Sequence, residues 1–179
     1  NDSKISKIIR NDSIVEFITL VNRTNLPLST ATIRPSIFET NPLLNEREPT
    51  LIEYASFYGS IQIFNYLKFN NVELEPSLWI YMVHSNNPEM VQLFLSEQIQ
   101  PPNYNIHSYS ECLAEAIKCH HNDVASFIVD NLLSKSDDKF NDVVFESILR
   151  FYNYKFFPEN IDDDSIFFYL CQFNYSKIV

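Results

Sequence analysis

Residues Thr50 to Leu67 read TLIEYASFYGSIQIFNYL. The pattern returns, rewritten, as SLWIYMVHSNNPEMVQLF from Ser77 to Phe94 and as ECLAEAIKCHHNDVASFI from Glu111 to Ile128. Each copy sets two short apolar runs around a polar centre. Two short helices cannot bury their own apolar faces, but stacked copies can, so the recurrence predicts an all-α solenoid of helix–turn–helix pairs.

The copies agree column by column. Thr50, Ser77 and Glu111 open the first helix, where Thr and Ser can accept hydrogen bonds from free N–H groups. Thr50-Leu51-Ile52-Glu53 fits a capping box. Ile52, Trp79 and Leu113 form one apolar column and Ala55, Met82 and Ala116 another, three residues on and on the same face. Gly59, Asn86 and His120 share the turn column. Gly, Asn and His are residue types that accept φ > 0, so this column predicts a left-handed residue ending the first helix. Ser60 and Asn87 follow as N-caps of the second helix, with Pro88 suited to its first turn. In the third copy the cap moves to Asn122. Ile63, Phe64, Tyr66 and Leu67 then predict one wide buried stripe, matched by Met90, Val91, Leu93 and Phe94 and by Val124, Ala125, Phe127 and Ile128. The clearest repeats are 50–72, 77–98 and 111–133. Fainter ones cover 3–21, 143–157 and 165–179, and the turn of 143–157 is not evident. Within 165–179, Asn174 falls in the turn column.

These columns resemble the ankyrin repeat. Thr50-Leu51-Ile52-Glu53-Tyr54-Ala55 stands where that family has T-P-L-H-x-A, Gly59-Ser60 stands at its G-H turn, and Ile63 to Leu67 matches its second helix. The whole chain is similar to a divergent ankyrin-like domain of unknown function found in repeat proteins of unicellular eukaryotes. It departs from the family in having a single glycine and an irregular spacing, shorter from Ile52 to Trp79 than the usual period of about 33 residues. The expected fold is therefore an ankyrin-like stack with degenerate or missing β-hairpins. The resemblance implies that residues just before the turn face a concave groove. Those are Phe57 and Tyr58, His84 and Ser85, Lys118 and Cys119, with Gln172 and Phe173 continuing the row. Phe57 and Tyr58 stand outside the core columns, and exposed aromatics are typical interface anchors.

The chain has 179 residues, one domain's length, with 15 Phe, 10 Tyr and a net charge of −10. Phosphate backbones are bound by clustered Lys and Arg, and no basic stripe exists, so nucleic acid and anionic membrane surfaces are disfavoured. A basic protein partner would be steered in. Three cysteines suit a reducing, cytoplasmic compartment better than a disulfide framework. The apolar runs are too short to span a membrane. A single glycine also argues against a phosphate-cradling loop. The first residue is Asn1 and the last copy stops at Val179 with its second helix barely begun, so a longer protein with further repeats beyond Val179 is expected. Residues 22–49 interrupt the pattern with Pro27, Pro35, Pro42 and Pro49, and a short helix is expected near Ser36 to Thr40.

No catalytic or metal constellation stands out. Cys112, Cys119, His120 and His121 tempt, but three of them are contiguous, which suits one tetrahedral zinc poorly. Cys119 and an adjacent histidine make a poor nucleophile–base pair. The sequence thus points to a non-catalytic scaffold, without metal or cofactor, that docks a protein on the groove. Its rival is a structural part of a larger, for instance cytoskeletal, assembly.

Overall fold

The computed structural model describes residues 3–37, 39–99, 109–133, 138–157 and 164–175. Their regular structure is helical. In chain order the helices are α1 (Lys4–Arg10), α2 (Ile14–Thr24), α3 (Pro42–Asn45), α4 (Leu51–Tyr58), α5 (Ile61–Phe69), α6 (Leu78–Ser85), α7 (Pro88–Ser96), α8 (Ser110–Lys118), α9 (Asn122–Asn131), α10 (Asp138–Arg150) and α11 (Asp164–Gln172). A 3-10 turn covers Tyr154–Phe156. Among the described residues no strand forms, and β pairing is limited to an isolated antiparallel bridge between Thr32 and Thr50. The chain divides into two compact units, Asn1–Gln100 and Pro101–Val179.

In the first unit α1 pairs with α2, α4 with α5 and α6 with α7, while α4 packs against both α1 and α6. In the second, α8 pairs with α9, α10 with α11, and α10 packs on α8. The apolar columns supply the cores. Ile52, Trp79, Leu113, Ala55, Met82 and Ala116 are all buried. In the second helices three of the four stripe positions are buried, as in Ile63, Phe64 and Leu67, while the fourth (Tyr66, Leu93, Phe127) is half-buried. Rings join neighbouring layers: Phe94 lies 5.5 Å from both Phe64 and Trp79. Trp79 also donates its Nε1–H to the Ile99 carbonyl at 2.9 Å.

The turn column behaves as its chemistry predicts. Gly59, Asn86 and His120 have φ of 67°, 47° and 57°. The same left-handed residue recurs at Asp12, Tyr152 and Asn174, with φ of 47°, 59° and 61°. After each, the next N–H reaches back to the last turn of the preceding helix: Ser13 to Ile8, Ser60 to Ala55, His121 to Ala116, Asn153 to Ile148 and Tyr175 to Leu170. This is the six-to-one bond of a Schellman ending. The Asn86 turn is a variant. There the Ser85 hydroxyl inserts, donating to the Met82 carbonyl at 2.7 Å and accepting from Asn87 N–H at 3.2 Å. Second helices end similarly, at left-handed Asn25, Asn71 and Gln98, and Leu26, Val72 and Ile99 close the bond. Asn and Gln thus stand where richer sequences place glycine.

Polar ties link one pair to the next. Ser60 is at the cap position of α5 but makes no capping bond; its hydroxyl donates instead to the Ile9 carbonyl of α1 at 2.6 Å. The vacated role passes to Asp12, whose carboxylate accepts from Gln62 N–H and Ile63 N–H, both at 3.0 Å. The second unit repeats the device. Asn153 donates to the Ile117 carbonyl at 2.9 Å, and His120 Nε2 donates to the Phe151 carbonyl at 3.0 Å.

Several local expectations are corrected. The Thr50 capping box forms, but Ser77 is helical and donates to Glu53 Oε1 at 3.2 Å instead of capping α6. Helix α9 begins at Asn122, with His121 in the cap position, and the Asn122 side chain accepts from Asn153 at 2.8 Å. The short helix of the interruption is Pro42–Asn45, not 36–40, because Asn41 caps it by accepting from Leu43 N–H and Pro42 fits the first turn. The turn missed in 143–157 is Tyr152-Asn153, followed by a 3-10 turn where a second helix was expected.

Candidate functional site

Helices α4 and α6 end side by side, and their last turns carry four of the expected groove residues. The Phe57 ring stacks on His84, with centroids 4.6 Å apart and planes 16° from parallel. Phe57 also lies 5.1 Å from Tyr58, and Tyr58 lies 4.8 Å from Tyr54, one turn earlier on α4. The result is a continuous row of four rings, Tyr54–Tyr58–Phe57–His84. Tyr54 is buried at its inner end, while Phe57, Tyr58 and His84 are each half-buried. The Ser85 hydroxyl makes its bonds within the Asn86 turn. Gly59, next to the row, leaves no slack: a Cβ built on it would lie 3.3 Å from both Asn87 and Ser85 side-chain atoms.

The interruption reaches this row. Its ends are tied together by the Thr32–Thr50 bridge, by Ile33 N–H donating to the Pro49 carbonyl at 2.8 Å, and by Thr32 donating to Glu48 at 3.2 Å. From that base the segment returns over α4. Glu39 accepts from the Tyr54 hydroxyl at 3.0 Å, from the Tyr58 hydroxyl at 3.1 Å and from Arg10 Nη1 at 3.3 Å. The Arg10 guanidinium also sits over the Tyr58 ring, 5.8 Å from its centroid. Two residues on, the Asn41 amide reaches His84 Nδ1 at 3.5 Å. Leu44 is buried, whereas Ile37 is 86% exposed. Burial, then the neighbouring phenol and the Glu39 carboxylate, push the Tyr54 hydroxyl well above its ordinary range; burial leads at Tyr58 too, with Glu39 adding to it. Both phenols therefore stay protonated donors near neutral pH.

In the second unit Lys118 donates to Glu115 at 2.9 Å and its ammonium lies 6.0 Å from the centre of the Phe151 ring. Cys119 is half-buried. Burial, helped by Glu115 and opposed by Lys118, pushes its thiol up to about 11, and burial drives the thiol of buried Cys112 to about 12. With their thiols raised in this way, neither is an activated nucleophile at neutral pH. Phe173 packs against Phe145, Leu149 and Leu170, and Gln172 is exposed.

The structure brings Phe57, Tyr58 and His84, named from the sequence, into one row, and adds Arg10, Glu39 and Asn41, which the sequence reading did not name. One signal was available: Glu39 is the lone charge in the stretch PSIFETNPLLN, residues 35–45. A single carboxylate in an uncharged loop that folds back needs a partner.

The chain matches no family model, no curated protein and no solved structure. Among the described residues no helix is long and apolar enough to cross a membrane.

Proposed function

We propose that this chain is a non-catalytic docking module, an ankyrin-like stack of helical pairs that binds a protein partner along the ends of its first helices. The observation that carries this reading is the Tyr58–Phe57–His84 row: three contiguous rings, half-buried and directly beside the turns. Rigid aromatic surface of this kind is what interface anchors use. The recurring left-handed turns and the polar ties between pairs support the repeat architecture. In the second unit the corresponding positions are Lys118 and Cys119. The acidic charge favours a protein partner over nucleic acid, in a cytoplasmic setting.

The rival is a structural part of a larger assembly, packed permanently through its repeat faces. It is favoured by large apolar side chains left in solvent: Phe69 is 86% exposed and Phe168 65%. Affinity capture from native extract, read by mass spectrometry, separates the two. The baits are the wild-type chain, a Phe57→Ala/His84→Ala variant and a separate Lys118→Ala variant, each checked for folding by circular dichroism. A protein held by the wild type and lost by the folded double variant supports the docking row. Equal capture by all three baits refutes it and favours the assembly reading.

A further inference from the structure

Glu39 is held as a bound ligand would be. Its carboxylate receives one guanidinium and two phenol donors, from α1 and α4, while it comes itself from a loop outside both helices. The donors also touch one another. Tyr54 and Tyr58 are one turn apart on α4, their rings in contact, and Arg10 lies over Tyr58. An arginine with converging hydroxyl donors is carboxylate-recognition chemistry. Resting on the docking reading above, we propose that Arg10, Tyr54 and Tyr58 form a carboxylate site at the inner end of the row, filled here by Glu39 as an internal ligand and taken over by an Asp or Glu side chain of a docking partner segment.

Three observations favour a displaceable strap over a fixed core element. The base of the loop is tied independently at Thr32 and Thr50, so the segment 39–46 can lift while its anchors stay. Its regular structure is a single four-residue helix, α3, and isolated helices that short have no stability of their own. Its polar contacts to the aromatic row fall at both ends, Glu39 on Tyr54 and Tyr58 and Asn41 on His84, so the strap lies on the surface assigned to the partner. The strap also describes what replaces it: the Glu39 carboxylate followed by six uncharged residues, Thr40 to Asn45, with a leucine five residues on that is 2% exposed. A partner segment with a single carboxylate among neutral or basic residues satisfies the local site without opposing the net charge of −10.

The test uses the full chain carrying Glu39→Ala and a fluorescent peptide of sequence ETNPLLNE, residues 39–46, beside the same peptide with its first Glu replaced by Gln. Fluorescence anisotropy should show the Glu peptide binding at least tenfold more tightly than the Gln peptide. Adding Arg10→Met to the protein should erase that difference. Equal affinity of both peptides, or no binding by either, overturns the proposal. Native-state hydrogen exchange on the wild-type chain decides independently, even if Glu39→Ala fails to fold. The amides of Leu44, Asn45 and Glu46, bonded within the strap, should open at least a hundredfold more often than those of α4. Exchange of both sets at one common rate overturns the strap. Failure here is distinct from failure of the docking row. Peptides bound through Phe57 and His84 without regard to the carboxylate would leave the row standing and remove the carboxylate site. Carboxylate-selective binding that survives Phe57→Ala/His84→Ala would do the reverse.

Discussion

Asp12 joins two functions that substitution can separate: it adopts the left-handed turn after α1, and its carboxylate caps α5 of the next pair. Loss of a capping carboxylate costs about 0.5–2 kcal/mol. Forcing a residue with an ordinary Cβ into the left-handed region costs about 1–2 kcal/mol, a penalty that glycine does not carry and Asn and Asp partly avoid. Asp12→Ala loses the cap and takes the full backbone penalty, so about 2–3 kcal/mol is expected. Asp12→Gly loses the cap but relaxes the turn, for about 0.5–1 kcal/mol. Asp12→Asn keeps one acceptor and the turn preference and loses the charge, for roughly 0.5 kcal/mol that should shrink in high salt. Trp79 is the single tryptophan and is fully buried in the first unit, so its fluorescence reports that unit in urea. With a slope of about 1–3 kcal/mol per molar, Asp12→Ala should lower the midpoint by about 0.7–3 M. The reasoning fails if glycine costs as much as alanine, or if alanine lies within about 0.5 kcal/mol of wild type, the range of an ordinary surface change.

Three further outcomes follow from the same geometry. Asn153→Ala strips two bonds from a buried site, to the Ile117 carbonyl and to Asn122, and should destabilise the second unit by about 2–3 kcal/mol; circular dichroism in urea would sink this by showing an unchanged transition. Gly59→Ala should lose at least about 1–2 kcal/mol from the left-handed backbone alone, with the 3.3 Å approaches to Asn87 and Ser85 adding to it, whereas Asn86→Gly should be neutral or stabilising; equal effects of the two in thermal melts would contradict the turn assignment. Cys112 has its thiol raised by burial from 9.0 to about 12, so the folded state holds its proton longer than the unfolded chain does. Its contribution is full below pH 9 and declines as pH rises toward 12, by up to about 1.4 kcal/mol per pH unit. Cys112→Ala should flatten the stability profile between pH 9 and 10, and a profile parallel to wild type would refute the burial argument.

The helical pairs and their turns were legible in the sequence because both rest on local chemistry. Gly59, Asn86 and His120 each belong to the few residue types that accept the left-handed region, and the apolar columns around them have a period that only a helix buries. Tyr152 was illegible for the same reason: a bulky aromatic is an outlier in that region, and nothing in its type announces the turn. The caps were read half correctly. Ser60 was identified as a helix-starting residue, but its hydroxyl had two possible acceptor or donor roles, and the carbonyl of Ile9, fifty-one residues away, took it. The strap was illegible because Glu39 bonds across fifteen, nineteen and twenty-nine residues. No window of sequence contains both ends of such a contact. Only its solitary charge marked it.

The scarcity of glycine then acquires a physical reading. A glycine at each turn would relax the backbone but offer no side chain. Asp12 and His120 accept a strained conformation, and from that position their side chains reach the next pair, one to the N–H groups of α5 and the other to the Phe151 carbonyl. The local cost, about 1 kcal/mol or somewhat more for each turn, is offset by bonds of similar magnitude between layers. Where the turn side chain makes no such tie, glycine should be the better residue; where it makes one, glycine should be worse. Opposite signs for Asn86→Gly and Asp12→Gly would establish that the turns of this chain join its layers as well as reversing its direction. The same sign at both would reduce the ties to incidental contacts and leave the apolar columns alone to hold the layers together.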